Sequence, residues 1–119
     1  MIVRIWTTHI ADGREAEYLA FAQERSRVMF LSQPGCLGVL FLKADDGEHA
    51  ACSFWNRIAD IEALASSSSY HATASDLTAT GVLLGEATIT VYDVEGGELD
   101  GSTFATTLER HGVRALPQK

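Results

Sequence analysis

The chain predicts an α+β fold: one four-stranded antiparallel sheet with two helical layers' worth of chain on a single face. Three observations lead there. Four apolar stretches read as strands, at about 1–10, 36–43, 49–55 and 87–94. Helical spacing fills the gaps after the first and third of these, which gives the order β-α-β-β-α-β, the split βαβ or ferredoxin-like arrangement. The strands also carry apolar residues on both alternating sets, so both sheet faces need cover.

The first strand shows this best. Ile2, Trp6 and Ile10 share one set, and Val3 and Ile5 the other. Asp12 follows, with Glu15 three residues on, the spacing of a capping box that opens a helix. That helix runs to about Leu31, with Tyr18, Ala22, Arg25 and Met29 on one side. Gln33-Pro34-Gly35 stops it, since proline disfavours helix in the residue before it and glycine permits the turn.

Cys36 to Lys43 is the second strand, and Asp45-Asp46-Gly47 the hairpin turn into the third. Asn56 is placed to cap the second helix, where Ile58, Ile61 and Leu64 begin an apolar stripe. The run Ser66-Ser67-Ser68-Ser69 interrupts it, because serine competes for backbone hydrogen bonds. A second helical piece, about 70–80, ends at Gly81, and the fourth strand follows.

Residues 1–95 therefore form one domain, in keeping with a length of 119 and a 46% hydrophobic content. Residues 96–119 read as a C-terminal extension, packed on a surface or a partner subunit or else frayed, with one short helix from Ser102 to Arg110.

A net charge of −7 argues against nucleic acid or an anionic membrane surface as a partner, since both reward a basic face. No apolar run approaches the ~20 residues of a membrane span, and the opening residues lack a signal peptide's layout. A cytoplasmic protein is expected. A hairpin centred near Asp46 sets Cys52 opposite Leu40 and Cys36 opposite Trp55, leaving the sulfurs about 13 Å apart at strand rise. A disulfide needs Cα atoms within about 7 Å, so none is expected. Nor do two cysteines without a histidine cluster make a zinc site. The chain has no phosphate loop, dinucleotide fingerprint or nucleophile elbow.

Several segments together resemble the antibiotic-biosynthesis-monooxygenase domains of the dimeric α/β-barrel superfamily. They are the strand-one start, Gln-Pro-Gly-Cys-Leu-Gly at 33–38, Ser-Phe-Trp-Asn-Arg at 53–57, Ile-Glu-Ala-Leu-Ala at 61–65 and Ser-Ser-Tyr-His at 68–71. The resemblance implies a homodimer through the sheet face and a pocket between helices and sheet that takes a small aromatic molecule. In its cofactor-free quinone-forming branch, the tryptophan ending strand three is matched by Trp55. That branch's asparagine falls on Ala51 and its tyrosine on Ile61. In its heme-degrading branch, the functional positions fall near Thr7, Leu64 and Ser75, and none matches.

Six residues are candidates, each with a plainer reading beside it. Trp55 can stack on a planar ligand or simply fill the core. Tyr70 can donate to a carbonyl and His71 can take a phenolic proton, as catalytic groups, although a histidine on a helix is often just exposed. Thr7 can present a hydroxyl from the sheet, or merely suit a strand. With Thr7 toward the pocket, Trp6 would point into the dimer barrel. His9 can face the pocket mouth or solvent. Arg25 can bind an anionic ligand, or be exposed and ion-paired. His49 and His111, read in a turn and a tail, receive no role.

The function implied is cofactor-independent oxygenation of a phenolic or quinol-like substrate, with no metal or flavin. A non-catalytic ligand-binding or dimerisation module, favoured by Ala51 and Ile61, is the alternative, as is a heme-binding protein with a histidine ligand.

Overall fold

A computed structural model of the chain describes residues 1–115. Four strands, β1 (Ile2–Ile10), β2 (Cys36–Lys43), β3 (Glu48–Trp55) and β4 (Leu83–Asp93), form one antiparallel sheet in the order β2-β3-β1-β4. Between β1 and β2 the chain runs through α1 (Glu15–Phe21), a π-helical stretch Ala22–Ser26 and α2 (Arg27–Ser32). Between β3 and β4 it runs through α3 (Ile58–Glu62), a 3₁₀ turn Ala63–Ser66 and α4 (Ser68–Ala79). The extension carries α5 (Gly101–Arg110), which matches the helix expected at 102–110; residues 116–119 of that extension lie outside the described residues.

Hairpin register follows the two-residue period and the turn. Gly47 sits at φ +89 in the turn, where a side chain would be strained. Leu40 then pairs with Cys52 and Cys36 with Trp55, and both thiols are free. The third strand starts one residue early, so His49 lies within β3 and is buried rather than in a turn.

Helix entries differ from the sequence expectation. Asp12 caps nothing: it occupies a turn ahead of Gly13 (φ +79), and Arg14 precedes the helix with no side-chain cap. Arg14 instead ties the helix start to the end of α4, donating to the Thr80 carbonyl at 2.6 Å and to Glu17. Asn56 is likewise not the cap of α3. Arg57 is, and the Asp60 carboxylate accepts its backbone N–H at 3.1 Å. The serine run breaks the helix as expected, with the Ser67 hydroxyl accepting from the Tyr70 amide to restart it. β4 begins at Leu83, four residues earlier than its apolar alternation suggests. The register slips between Thr7 and His9 in β1, opposite Gly85 at φ +70, and this irregularity masks the strand's start.

Pairing assigns the faces. Arg4, Trp6 and Thr8 lie opposite Ser53, Ala51 and His49 on the side under the helices. Val3, Ile5 and Thr7 lie opposite Phe54, Cys52 and Ala50 on the other side, turned away from those helices. Two clusters fill the space beneath the helices. One joins Ile10, Tyr18, Ala22 and Val82. The other joins Met29, Phe30, Trp55 and Leu64. The sheet does not close on itself, so its second apolar face remains open.

Candidate functional site

Between the two clusters lies a cavity of about 360 Å³. Its floor is the sheet: Arg4 and Trp6 of β1, Phe41 of β2 and Ala51 of β3. One wall is the first helical layer, through Tyr18, Ser26, Met29 and Phe30. The other is α4, through Tyr70, Thr73 and Leu77, and Leu83 of β4 closes the end. Ala74, Thr78 and Ala87 line it and are themselves exposed, which marks the mouth on the side of α4 and β4.

Helical periodicity brings Tyr18, Ala22, Ser26 and Phe30 to one side only because of the π-helical stretch between α1 and α2. In an uninterrupted α-helix the residue sharing the face of Tyr18 and Ala22 would be Arg25, at the 3.6-residue repeat. The wider π turn inserts an extra residue and turns Ser26 inward instead. Arg25 is thereby exposed. It stacks over the Phe21 ring and pairs with Asp76 at 2.6 Å, outside the cavity.

Of the six candidate residues, Tyr70 alone lines the cavity. Trp55 is fully buried behind it. Its indole N–H donates to the Ser53 hydroxyl at 2.8 Å, and its ring meets Phe30 edge-on with centroids 6.4 Å apart. His71, the neighbour of Tyr70, turns outward, where its Nε2 lies 2.7 Å from the Ala65 carbonyl. Thr7 points to the open sheet face and hydrogen-bonds Thr88, and His9 shares that face, exposed. The orientation expected of Trp6 is therefore reversed: Trp6 faces the helices and Thr7 the open side. Both alternating sets of β1 are apolar, so parity alone does not tell which face is which.

The polar feature of the cavity is Arg4. Its guanidinium donates from Nη2 to the Tyr70 hydroxyl at 2.9 Å and lies 5.6 Å from the ring centroid. The residue is 4% exposed, and among the described residues no carboxylate reaches ion-pairing distance of it. A charged residue in a strand normally points to solvent. The signal that could have found Arg4 is its place on the same alternating set as Trp6 and Ile10. On the same face of the sheet, the Ser53 hydroxyl donates to the Arg4 carbonyl at 3.4 Å, so the Trp55 indole, Ser53 and the Arg4 backbone form one chain of support.

Tyr18 lies across the cavity, and its ring meets the His49 ring edge-on at 5.3 Å. Burial pushes its phenol up to about 12. Burial also raises both thiols, Cys36 and Cys52. No histidine or carboxylate lines the cavity, and among the described residues no three histidine, cysteine or acidic side chains are grouped to hold a metal ion. No helix among them is long and apolar enough to cross a membrane.

No family profile matches the chain, and neither does any curated protein. Solved structures do match in fold. SnoaB, a cofactor-independent oxygenase from Streptomyces nogalater, superposes with a TM-score of 0.68 at 15% identity, over 81% of this chain and 94% of its own. An antibiotic biosynthesis monooxygenase superposes at 0.65 and 14%, over 81% and 100% of the two chains. Rv0793 from Mycobacterium tuberculosis superposes at 0.66 and 12%, over 81% and 96%. The chain forms an antibiotic-biosynthesis-monooxygenase-like domain in its fold.

Proposed function

We propose that the protein is a small-molecule monooxygenase of the antibiotic-biosynthesis type, oxygenating a phenolic or quinol-like aromatic with no metal or flavin. The observation that carries this reading is the cavity itself, a mainly apolar slot with aromatic walls and a hydrogen-bonded pair, Arg4 and Tyr70, that holds its charge. Its volume of about 360 Å³ suits a few fused rings. The fold shared with SnoaB supports the class of chemistry.

In such a reaction the substrate supplies the electrons. An anthrone-like CH₂ loses a proton, and the delocalised anion passes one electron to O₂. The two radicals combine into a C–O bond, giving a hydroperoxide. The O–O bond then breaks, one oxygen stays as a ring carbonyl, and the other leaves as water with the two hydrogens of the CH₂. The chain contributes position and dryness. Trp6, Tyr18 and Phe30 hold the rings, Met29, Leu77 and Leu83 exclude water, and Tyr70 and Arg4 fix the substrate oxygen. In this reading Tyr70, expected with His71 as a catalytic group, contacts the substrate, whereas His71 acts as a surface residue and the proton leaves through the mouth.

The working form in this reading is a homodimer joined through the open sheet face, where Val3, Ile5, Leu40 and Phe54 are turned away from α1–α4 and only half-buried. The missing histidine and carboxylate favour a second reading, a binding module that holds such an aromatic without turning it over.

Oxygen uptake by the purified, metal-free and flavin-free protein with anthrone separates the two. One O₂ consumed per quinone formed, above the uncatalysed rate, supports the oxygenase. Tight binding of anthrone with no uptake leaves the binding module.

A further inference from the structure

We infer that the cavity takes its ligand as an oxyanion, with Arg4 as the specificity-determining residue and the Tyr70 hydroxyl as the second donor. The inference rests on the reading above that this cavity is a ligand site, but not on its catalysing anything.

Three observations converge. Arg4 is almost wholly buried, yet no carboxylate among the described residues pairs with it, so its charge stands uncompensated at the cavity wall. A buried cation without a counter-ion is costly, and a ligand that supplies the negative charge recovers that cost. Tyr70 accepts from Arg4, which leaves its own O–H free to donate and polarises it for doing so. At this end of the cavity the guanidinium and the hydroxyl thus both present donors. A neutral phenol brings a donor of its own to that place, whereas a phenolate, an enolate or a carboxylate brings only acceptors. The remaining walls are mainly apolar and aromatic, so the ligand is an acidic oxygen attached to a flat hydrocarbon.

The overall charge of −7 makes this local cation the more discriminating. Long-range repulsion disfavours anions in general, so a bound anion reports the site and not the surface.

The consequence is measurable without turnover. If the site prefers the anion tenfold, the pKa of a bound phenol falls by about one unit, because a neighbouring positive charge favours the charged form. Para-nitrophenol is a suitable probe, since only its phenolate is yellow. Titrated in the presence of saturating protein, it should ionise at lower pH than in buffer. In Arg4→Met, which keeps the length and loses the charge, the bound probe should ionise at higher pH than in buffer, from burial alone. Arg4→Lys should restore a downward shift. By calorimetry, naphthoate should bind at least about tenfold tighter than neutral naphthamide to the native chain, with the preference gone in Arg4→Met.

An unshifted or raised pKa in the native chain overturns the inference. So does a naphthoate preference that survives Arg4→Met, or failure of both probes to bind at millimolar concentration. Oxygen uptake with no anion preference would sink this inference alone. A lowered probe pKa with no oxygen uptake would sink the oxygenase reading and leave this one standing.

Discussion

The Arg4 guanidinium and the Tyr70 hydroxyl meet at 2.9 Å although 66 positions separate them in the chain. The contact joins the first strand to the helix that follows the serine break, and so links the floor of the cavity to its wall. Removing the hydroxyl by Tyr70→Phe should cost about 1.5–3 kcal/mol in stability, the range for a hydrogen bond to a charged group. Urea denaturation measures it. Affinity for aromatic ligands should fall in the same variant. His71→Ala, one residue away, should leave affinity and any turnover unchanged, since His71 faces solvent.

Trp55 is a core residue, and its truncation should behave as one. Trp55→Ala should cost about 3–5 kcal/mol. Ser53→Ala tests the support beneath Arg4 more finely. It leaves the buried indole N–H without its acceptor, at a cost of about 1–3 kcal/mol. Trp55 fluorescence should shift in Ser53→Ala even where the fold is retained.

Gly35→Ala should be poorly tolerated. Gly35 has φ +81, and a Cβ there would collide with the Asp60 carboxylate, which accepts the amide of Arg57, the residue capping α3. Strain and a displaced cap add, so a loss of at least about 1–3 kcal/mol is expected by thermal or chemical denaturation. Gly13→Ala has the same backbone problem with open space around it, and should cost less.

Tyr18 makes stability depend on alkaline pH. Its phenol ionises near 10 in the unfolded chain and at about 12 in the fold, because burial penalises the anion. Between those values the unfolded chain has released a proton that the fold still holds. Stability is therefore full below about 10 and declines as pH rises toward about 12, by roughly 3 kcal/mol at most. Denaturation midpoints across that window should fall steeply in the native chain and less in Tyr18→Phe.

If a second copy covers the open sheet face, stability is tied to protein concentration. The melting temperature should rise with concentration, and Ile5→Arg, which puts a charge on that face, should remove the dependence and yield a monomer by sedimentation. A melting temperature independent of concentration in the native chain would count against the homodimer.

The sheet was legible where one period and one turn decide it. Alternation with Asp46-Gly47 sufficed to place Cys36 against Trp55 and Leu40 against Cys52. It also sufficed for the order of elements, whose fold the solved structures share. The site was less legible, for physical reasons particular to four residues. Arg4 received no role from the sequence, because charge in a strand usually faces solvent. Trp6 and Thr7 exchange faces because β1 is apolar on both sides and its parity carries no label. Arg25 takes an inward place on an ideal helix and loses it to Ser26 when the turn widens. Each error concerns which way a side chain turns, a matter that tertiary packing decides.

That wide turn also limits how the chain can change length. Steps of four residues drift by about 40° each on an α-helix of 3.6 residues per turn, so Tyr18, Ala22, Ser26 and Phe30 would otherwise wander off one side. The stretch Ala22–Ser26 takes up the drift, and Gln33 ties the helix end to α4 by donating to the Ser69 hydroxyl. Losing one residue within 22–26 would close the wide turn into a regular helix and keep Ser26 and Phe30 on the side of Tyr18, whereas gaining one more would rotate everything after it by about 100° and exchange Met29 and Phe30 with exposed neighbours. A single deletion at the wide turn thus preserves this wall, and a further insertion exchanges it all at once. Relatives of this chain should therefore lose one residue at 22–26 more readily than they gain one there, and vary most freely in length at the hairpin turn near Asp46.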